Sequence, residues 1–240
     1  MDHASAPGLG SGSEAMQSGA AQPNAGAGAI FDLDGTLLDS LGVWDDVDEI
    51  FFSRRGISVP DDYQQAVSPM AFPDIARYTI DRFHLDDTPQ AVMDEWNDLA
   101  LDLYTTRVRL KPGARDYLAH LKATGARIGV ASTLMPSLRD PTLDHLGLAG
   151  VFDAVCGIEE VGGLNKDHPD LYLRVAAEMG VEPRRCTVFE DIVIGVCTAH
   201  RIGMAAWAML DDSSRSIWPQ LKAEADGTLR DFTTAPAILA

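Results

Sequence analysis

The chain has 240 residues, 46% of them hydrophobic, enough to bury the core of one large domain or of a domain carrying an insert. Its 19 Lys and Arg against 36 Asp and Glu leave a net charge of −17, which argues against nucleic acid and anionic membranes as partners, since both need a basic footprint. No run approaches a membrane span, and Cys156, Cys186 and Cys197 lack the spacing of a zinc or disulfide framework, so a globular protein of the reducing cytoplasm is expected.

Residues 1–27 are rich in Gly, Ala and Ser and have no hydrophobic periodicity, so they are expected to be disordered. They also lack the basic start and continuous apolar stretch of a secretory signal. The apolar run Ala29-Ile30-Phe31 then reads as a strand that delivers Asp32 and Asp34, two carboxylates at i and i+2 that can face one reacting atom. Gly35 follows and permits close backbone approach. A carboxylate of this kind can form an acyl-phosphate when a metal screens the phosphoryl charge and a second acid protonates the leaving oxygen.

Beyond Ser40 the pattern becomes helical. Val43, Val47, Ile50 and Phe51 share one face, Ile75, Tyr78 and Arg82 or Phe83 continue more weakly in a second segment, and Thr88-Pro89 opens a helix with Val92, Trp96, Leu99 and Leu103 inside. From Pro112 onward helices and strands alternate, which predicts a parallel sheet covered on both faces, with ligands bound beyond the carboxyl ends of its strands. Three of those ends carry chemistry. Ser132 and Thr133 close the strand from Arg127, Lys166 precedes a helix expected from Pro169, and Glu190 and Asp191 end the strand from Thr187. Taken singly, each has an ordinary reading as a strand-end surface pair, a helix cap or a solvated lysine.

In this order and spacing the four segments resemble the haloacid dehalogenase superfamily, in its phosphatase and β-phosphoglucomutase-like branch, from about Ala29 to about Phe232. The resemblance implies an α/β fold with a Rossmann-like parallel-sheet core, formed by residues 28–41 and 110–240, and an inserted α-helical cap domain over 42–109. It implies Asp32 as nucleophile, Asp34 as general acid/base, Ser132 as phosphoryl ligand and Lys166 as its counter-charge, with Gly35, Thr36 and Thr133 beside the phosphate. Mg²⁺ would be held by Asp32, the Asp34 backbone carbonyl and Asp191, with Glu190 ligating directly or through water, a hard-oxygen set that suits this ion. The expected partner is a small phosphorylated metabolite, and Asp34 points to phosphate esters.

The chain also departs from the mutase members of that family. Where they carry a histidine four residues after the hydroxyl following the first motif, Trp44 follows Ser40, and the cap stretch from Val67 to Asp74 holds no cation to grip a second phosphate. Asn165, Asp167 and Ile192 replace the usual glycine, proline and serine around the third and fourth motifs. Hydrolysis is therefore expected over sugar-phosphate mutation, and both over a catalytically silent interaction protein. Arg54-Arg55 reads as a solvated helix end, and His84 and His200 as surface or packing residues.

Overall fold

The computed structural model describes residues 22–67 and 70–239. Gly28–Phe31 (β1) is buried at every position, the pattern of a strand covered on both faces. It pairs in parallel with Arg127–Ser132 (β4) on one side and Cys186–Glu190 (β6) on the other. Ala154–Gly157 (β5) extends the sheet beyond β4, while Ala205–Met209 (β7) and Gly227–Leu229 (β8) extend it beyond β6, giving the order β5-β4-β1-β6-β7-β8 with every pairing parallel. Helices Ala114–Ala123 (α5), Pro136–His145 (α6), Asp170–Met179 (α7), Val193–Arg201 (α8) and Trp218–Glu224 (α9) connect these strands. The chain steps outward through β4 and β5, then returns to the other side of β1, so the carboxyl ends of β1, β4 and β6 meet at the switch of direction.

Register fixes what meets there. Phe31 pairs with Phe189, and their rings stack at 4.9 Å and 7° within a cluster completed by Tyr117 and Phe232. The next residue in each segment is an acid, Asp32 just beyond β1 and Glu190 at the end of β6. A one-residue slip of either strand would turn its carboxylate into the apolar layer and its ring out of it, so the stacked pair specifies the site as well as the core.

Between β1 and α5 the chain leaves and re-enters through a short antiparallel ribbon, Leu38–Asp39 (β2) against Arg109–Leu110 (β3). The intervening helices are Val43–Ser53 (α1), Tyr63–Val67 (α2), Phe72–Phe83 (α3) and Pro89–Thr106 (α4). They pack through Phe51, Phe52, Tyr63, Phe83 and Trp96, and the buried Tyr63 hydroxyl shares a 2.7 Å hydrogen bond with Thr79. Thr88 caps α4 by accepting the Ala91 N–H at 3.2 Å. Ser68 and Pro69, within the cap stretch that holds no cation, lie outside the described residues.

The expectation of disorder over residues 1–27 is corrected at its inner end. Asn24 is buried, its Nδ2 donates to Thr124 Oγ1 at 2.7 Å and to the Ala237 carbonyl at 3.1 Å, and its Oδ1 accepts the Leu239 N–H at 2.8 Å. A single amide that ties both ends of the chain to α5 orders a segment whose composition alone would not, and Ala27 behind it is buried. Residues 1–21 lie outside the described residues. Arg55 is a second correction, because it is not a solvated helix end. Its guanidinium lies 3.8 Å from the Phe51 ring centre and bridges Asp87 and Glu95. No helix among the described residues is long and apolar enough to cross a membrane.

Candidate active site

Asp32 is the first residue beyond β1, and its N–H donates to the Phe189 carbonyl at 3.0 Å, which extends the ladder by one rung and fixes the carboxylate over the sheet end. Glu190 ends β6 and Asp191 follows it. All three acids are buried, and each offers a carboxylate oxygen within 4.8 Å of the others. Lys166, itself buried, reaches in from the loop before α7, where its Nζ bonds Asp32 Oδ1 and lies 2.5 Å from Glu190 Oε1. Burial works against the ammonium, but Asp32 and Glu190 outweigh it and hold Lys166 above the ordinary lysine range.

One ammonium does not balance three carboxylates. Burial, followed by the Asp32 and Glu190 charges, pushes Asp191 up to about 8. Burial likewise pushes Glu190 up to about 7, against the lowering effect of Lys166. Glu190 Oε1 already accepts from the Tyr172 hydroxyl at 2.8 Å, whereas Oε2 is buried with no hydrogen-bond partner among the described residues. A lone buried oxygen among under-compensated carboxylates fits a hard divalent cation, which would supply the missing charge and the missing partner together. Gly195, in α8, leaves room for this acid: a Cβ there would lie 2.6 Å from Glu190 Cδ and 2.7 Å from the Tyr172 hydroxyl.

Asp34 stands apart from that cluster. Its Oδ1 accepts from Ser40 Oγ at 2.6 Å and from the Tyr104 hydroxyl of α4 at 2.8 Å, so a cap helix touches this acid directly. Burial raises its pKa, Ser40 lowers it, the Asp32 charge raises it and Tyr104 lowers it, leaving a net rise. Gly35 has φ of +76°, and a Cβ there would collide with the Asp191 carboxylate and come within 2.8 Å of Leu41 Cδ1. The close approach that glycine permits is thus to Asp191.

The remaining expected residues divide. Ser132 is buried at the end of β4, where its Oγ accepts the Leu134 N–H at 3.0 Å, leaving its own proton to donate. Thr36 is fully buried, with a hydroxyl that has no partner among the described residues, and Thr133 is exposed. Sequence reasoning gave no role to Tyr104 or Tyr172. Both sit on inner helix faces, where an aromatic reads as core, and only the phenolic oxygen at its tip distinguishes them.

A family model described as haloacid dehalogenase-like hydrolase matches residues 27–203. Hexitol phosphatase B of Escherichia coli is 29% identical over 182 residues, covering 73% of this chain and 80% of that protein. Fructose-1-phosphate phosphatase YqaB, also of E. coli, is 30% identical over 186 residues, covering 75% of this chain and 94% of that protein. Among solved structures, CbbY from Rhodobacter sphaeroides in complex with phosphate superposes with a TM-score of 0.69 at 21% identity, over 87% of this chain and 95% of that one. A candidate β-phosphoglucomutase from Thermotoga maritima gives 0.73 at 20% identity, over 85% and 94%. With the matching model spanning most of its length and the acids, lysine and parallel sheet in place, the chain belongs to the haloacid dehalogenase-like hydrolase family.

Proposed function

We propose that this protein is a Mg²⁺-dependent phosphomonoester hydrolase acting on a small sugar or sugar-alcohol phosphate through an aspartyl-phosphate at Asp32. The observation that carries the reading is the buried cluster of Asp32, Glu190 and Asp191 around Lys166, with the separately held acid Asp34 two residues from the nucleophile. Similarity to two sugar-phosphate and sugar-alcohol-phosphate phosphatases supports the substrate class.

In this mechanism Lys166 and the Ser132 hydroxyl hold phosphoryl oxygens while an Asp32 oxygen attacks phosphorus. As the ester P–O bond breaks, Asp34 gives its proton to the leaving oxygen. Because Asp34 Oδ1 is anchored by Ser40 and Tyr104, Oδ2 is the atom that carries the proton. Asp34 then takes a proton from a water that attacks the same phosphorus, releasing inorganic phosphate and restoring Asp32. Mg²⁺ held by Asp32, Asp191 and the Asp34 backbone carbonyl, with Glu190 direct or through water, would offset the charge gathered at the phosphoryl group. The cap of residues 42–109 would cover this chemistry from water.

Phosphorus NMR of a hexose 1-phosphate, with Mg²⁺ and a bisphosphate primer, tests hydrolysis against mutation. Free phosphate should appear in proportion to ester lost. Rapid isomerisation with conserved ester phosphate would overturn the hydrolase reading.

A further inference from the structure

Lys166 reaches the acids from a loop that is sparsely tied to the body of the protein. Gly162 and Gly163 lead into it, both in the left-handed region at φ of +72° and +80°, with open space where a Cβ would stand, so no packing fixes the entering backbone. Hydrogen bonds form inside the loop, where Asn165 Oδ1 accepts the Lys166 N–H at 2.7 Å and the Asn165 carbonyl accepts the His168 N–H at 2.9 Å. Neither joins it to another element. Among the described residues, polar contacts link 164–168 to the rest of the core at two places. One is the Lys166 ammonium on Asp32 and Glu190, and the other is the Asp167 carbonyl, which accepts Arg201 Nη2 of α8 at 2.5 Å. The same nitrogen donates to Thr198 Oγ1 at 2.7 Å, one turn earlier on α8 and fully buried, so a rigid anchor aims the exposed guanidinium.

We propose that Arg201 is a positioning residue for Lys166. From the last turn of α8 it pins the loop backbone, so that the ammonium stays over Asp32 when an anion draws it off the carboxylates. The role rests on the phosphatase reading above, in which phosphoryl oxygens compete with Asp32 and Glu190 for the lysine protons. The lysine carries its charge on a flexible four-carbon stem, so the place of its backbone decides where that charge can be held. With the ammonium shared out to a ligand, the Arg201 contact is the tie that keeps the loop from following.

The residue that receives this hydrogen bond fits the role. Asp167 stands where proline is usual, and a proline fixes φ by its own ring. Asp167 leaves that dihedral free, and a hydrogen bond from another element restrains the segment instead. Proline remains compatible with the position. Among the described residues only His84 and glycines have positive φ, and the Asp167 N–H has no acceptor to lose.

Vanadate binding with Mg²⁺, measured by calorimetry over a double-mutant cycle of Arg201→Met and Lys166→Ala, tests whether the arginine acts through the lysine. Arg201→Met should weaken vanadate about fivefold, the size of one hydrogen bond, and should add nothing further to Lys166→Ala. Asp167→Pro in the Arg201→Met protein should recover most of the loss. Amide hydrogen exchange without ligand gives an independent readout. The Lys166 and His168 amides should exchange at least about threefold faster in Arg201→Met, with those of β1 and β6 unchanged. An equal loss of vanadate affinity with and without Lys166, as a surface charge acting on the anion at a distance would give, overturns the assignment. Unchanged exchange at Lys166 and His168 does the same. The phosphatase reading fails separately, if wild-type protein with Mg²⁺ releases no phosphate from any monoester, a result that leaves the exchange rates untouched.

Discussion

Asp34 and Asp32 lie two residues apart and differ in what surrounds them. Asp32 shares a lysine with Glu190, whereas Asp34 takes two hydroxyl donors, one of them from the cap. That division of partners supports the proposed division of labour between attack and proton transfer. With Asp34 as the proposed proton donor, Asp34→Asn should lower turnover of an alkyl phosphate by about a hundredfold or more. An aryl phosphate, whose leaving group needs little protonation, should lose far less. Steady-state kinetics on the two esters checks this, and equal losses would remove Asp34 from the proton-transfer step. Asp191→Ala should raise the Mg²⁺ concentration for half-activity by at least about tenfold, because it deletes a carboxylate from the proposed metal set. Lys166→Ala should instead weaken vanadate binding, since it leaves three buried acids around an anion with less compensation. Superimposable Mg²⁺ titrations of wild type and Asp191→Ala would contradict the metal assignment.

At the scale of elements, α1 carries an acid in an unfavourable place. Burial drives the Asp48 carboxyl up to about 7 from an ordinary 3.8, with the Gln64 hydrogen bond opposing the rise and the Asp45 charge adding to it. The folded state therefore holds this proton through a pH range in which the unfolded chain has released it. Stability should fall as pH rises from about 4 to about 7 on this account and stay level above, by linkage. Asp48→Asn should thus gain stability relative to wild type across that window, reaching on the order of 1–2 kcal/mol above pH 7 once partial exposure is discounted. Denaturant melts at pH 4.5 and 8 measure the difference, and a pH-independent gap would contradict it. Elements also show where the sequence was legible. Strands β1, β4 and β6 are apolar runs ending in Asp32, Ser132 and Glu190, and α4 announces itself through Thr88-Pro89 and the Val92 to Leu103 face. The ribbon of β2 and β3, two residues each, and the three-residue β8 are too short to carry a period. Composition and local charge do not register a partner distant in sequence, so the order of Asn24 and the partial burial of Arg55, held by Thr124 and Glu95, are not legible there. Tyr104 is equally silent, because a tyrosine on an inner helix face gives the same periodic signal as a phenylalanine.

Across the whole molecule, a net charge of −17 would repel the proposed phosphorylated substrates at long range, so attraction would have to arise locally, at Lys166 and at the proposed cation. The parallel sheet supplies the place, since β1, β4 and β6 end at one switch of direction, and the cap contributes Tyr104 to the same point. Cleavage of phosphate esters through Asp32 is tested most directly by inorganic phosphate release from a set of sugar and sugar-alcohol monophosphates, with Mg²⁺ and with chelator, by wild type and by Asp32→Asn. The amide keeps the size of the carboxylate but cannot attack phosphorus, so the expected result is Mg²⁺-dependent release by wild type and a loss of at least about a thousandfold in the variant, with glucitol 6-phosphate binding retained. Activity of Asp32→Asn within tenfold of wild type on any of these esters would contradict the account.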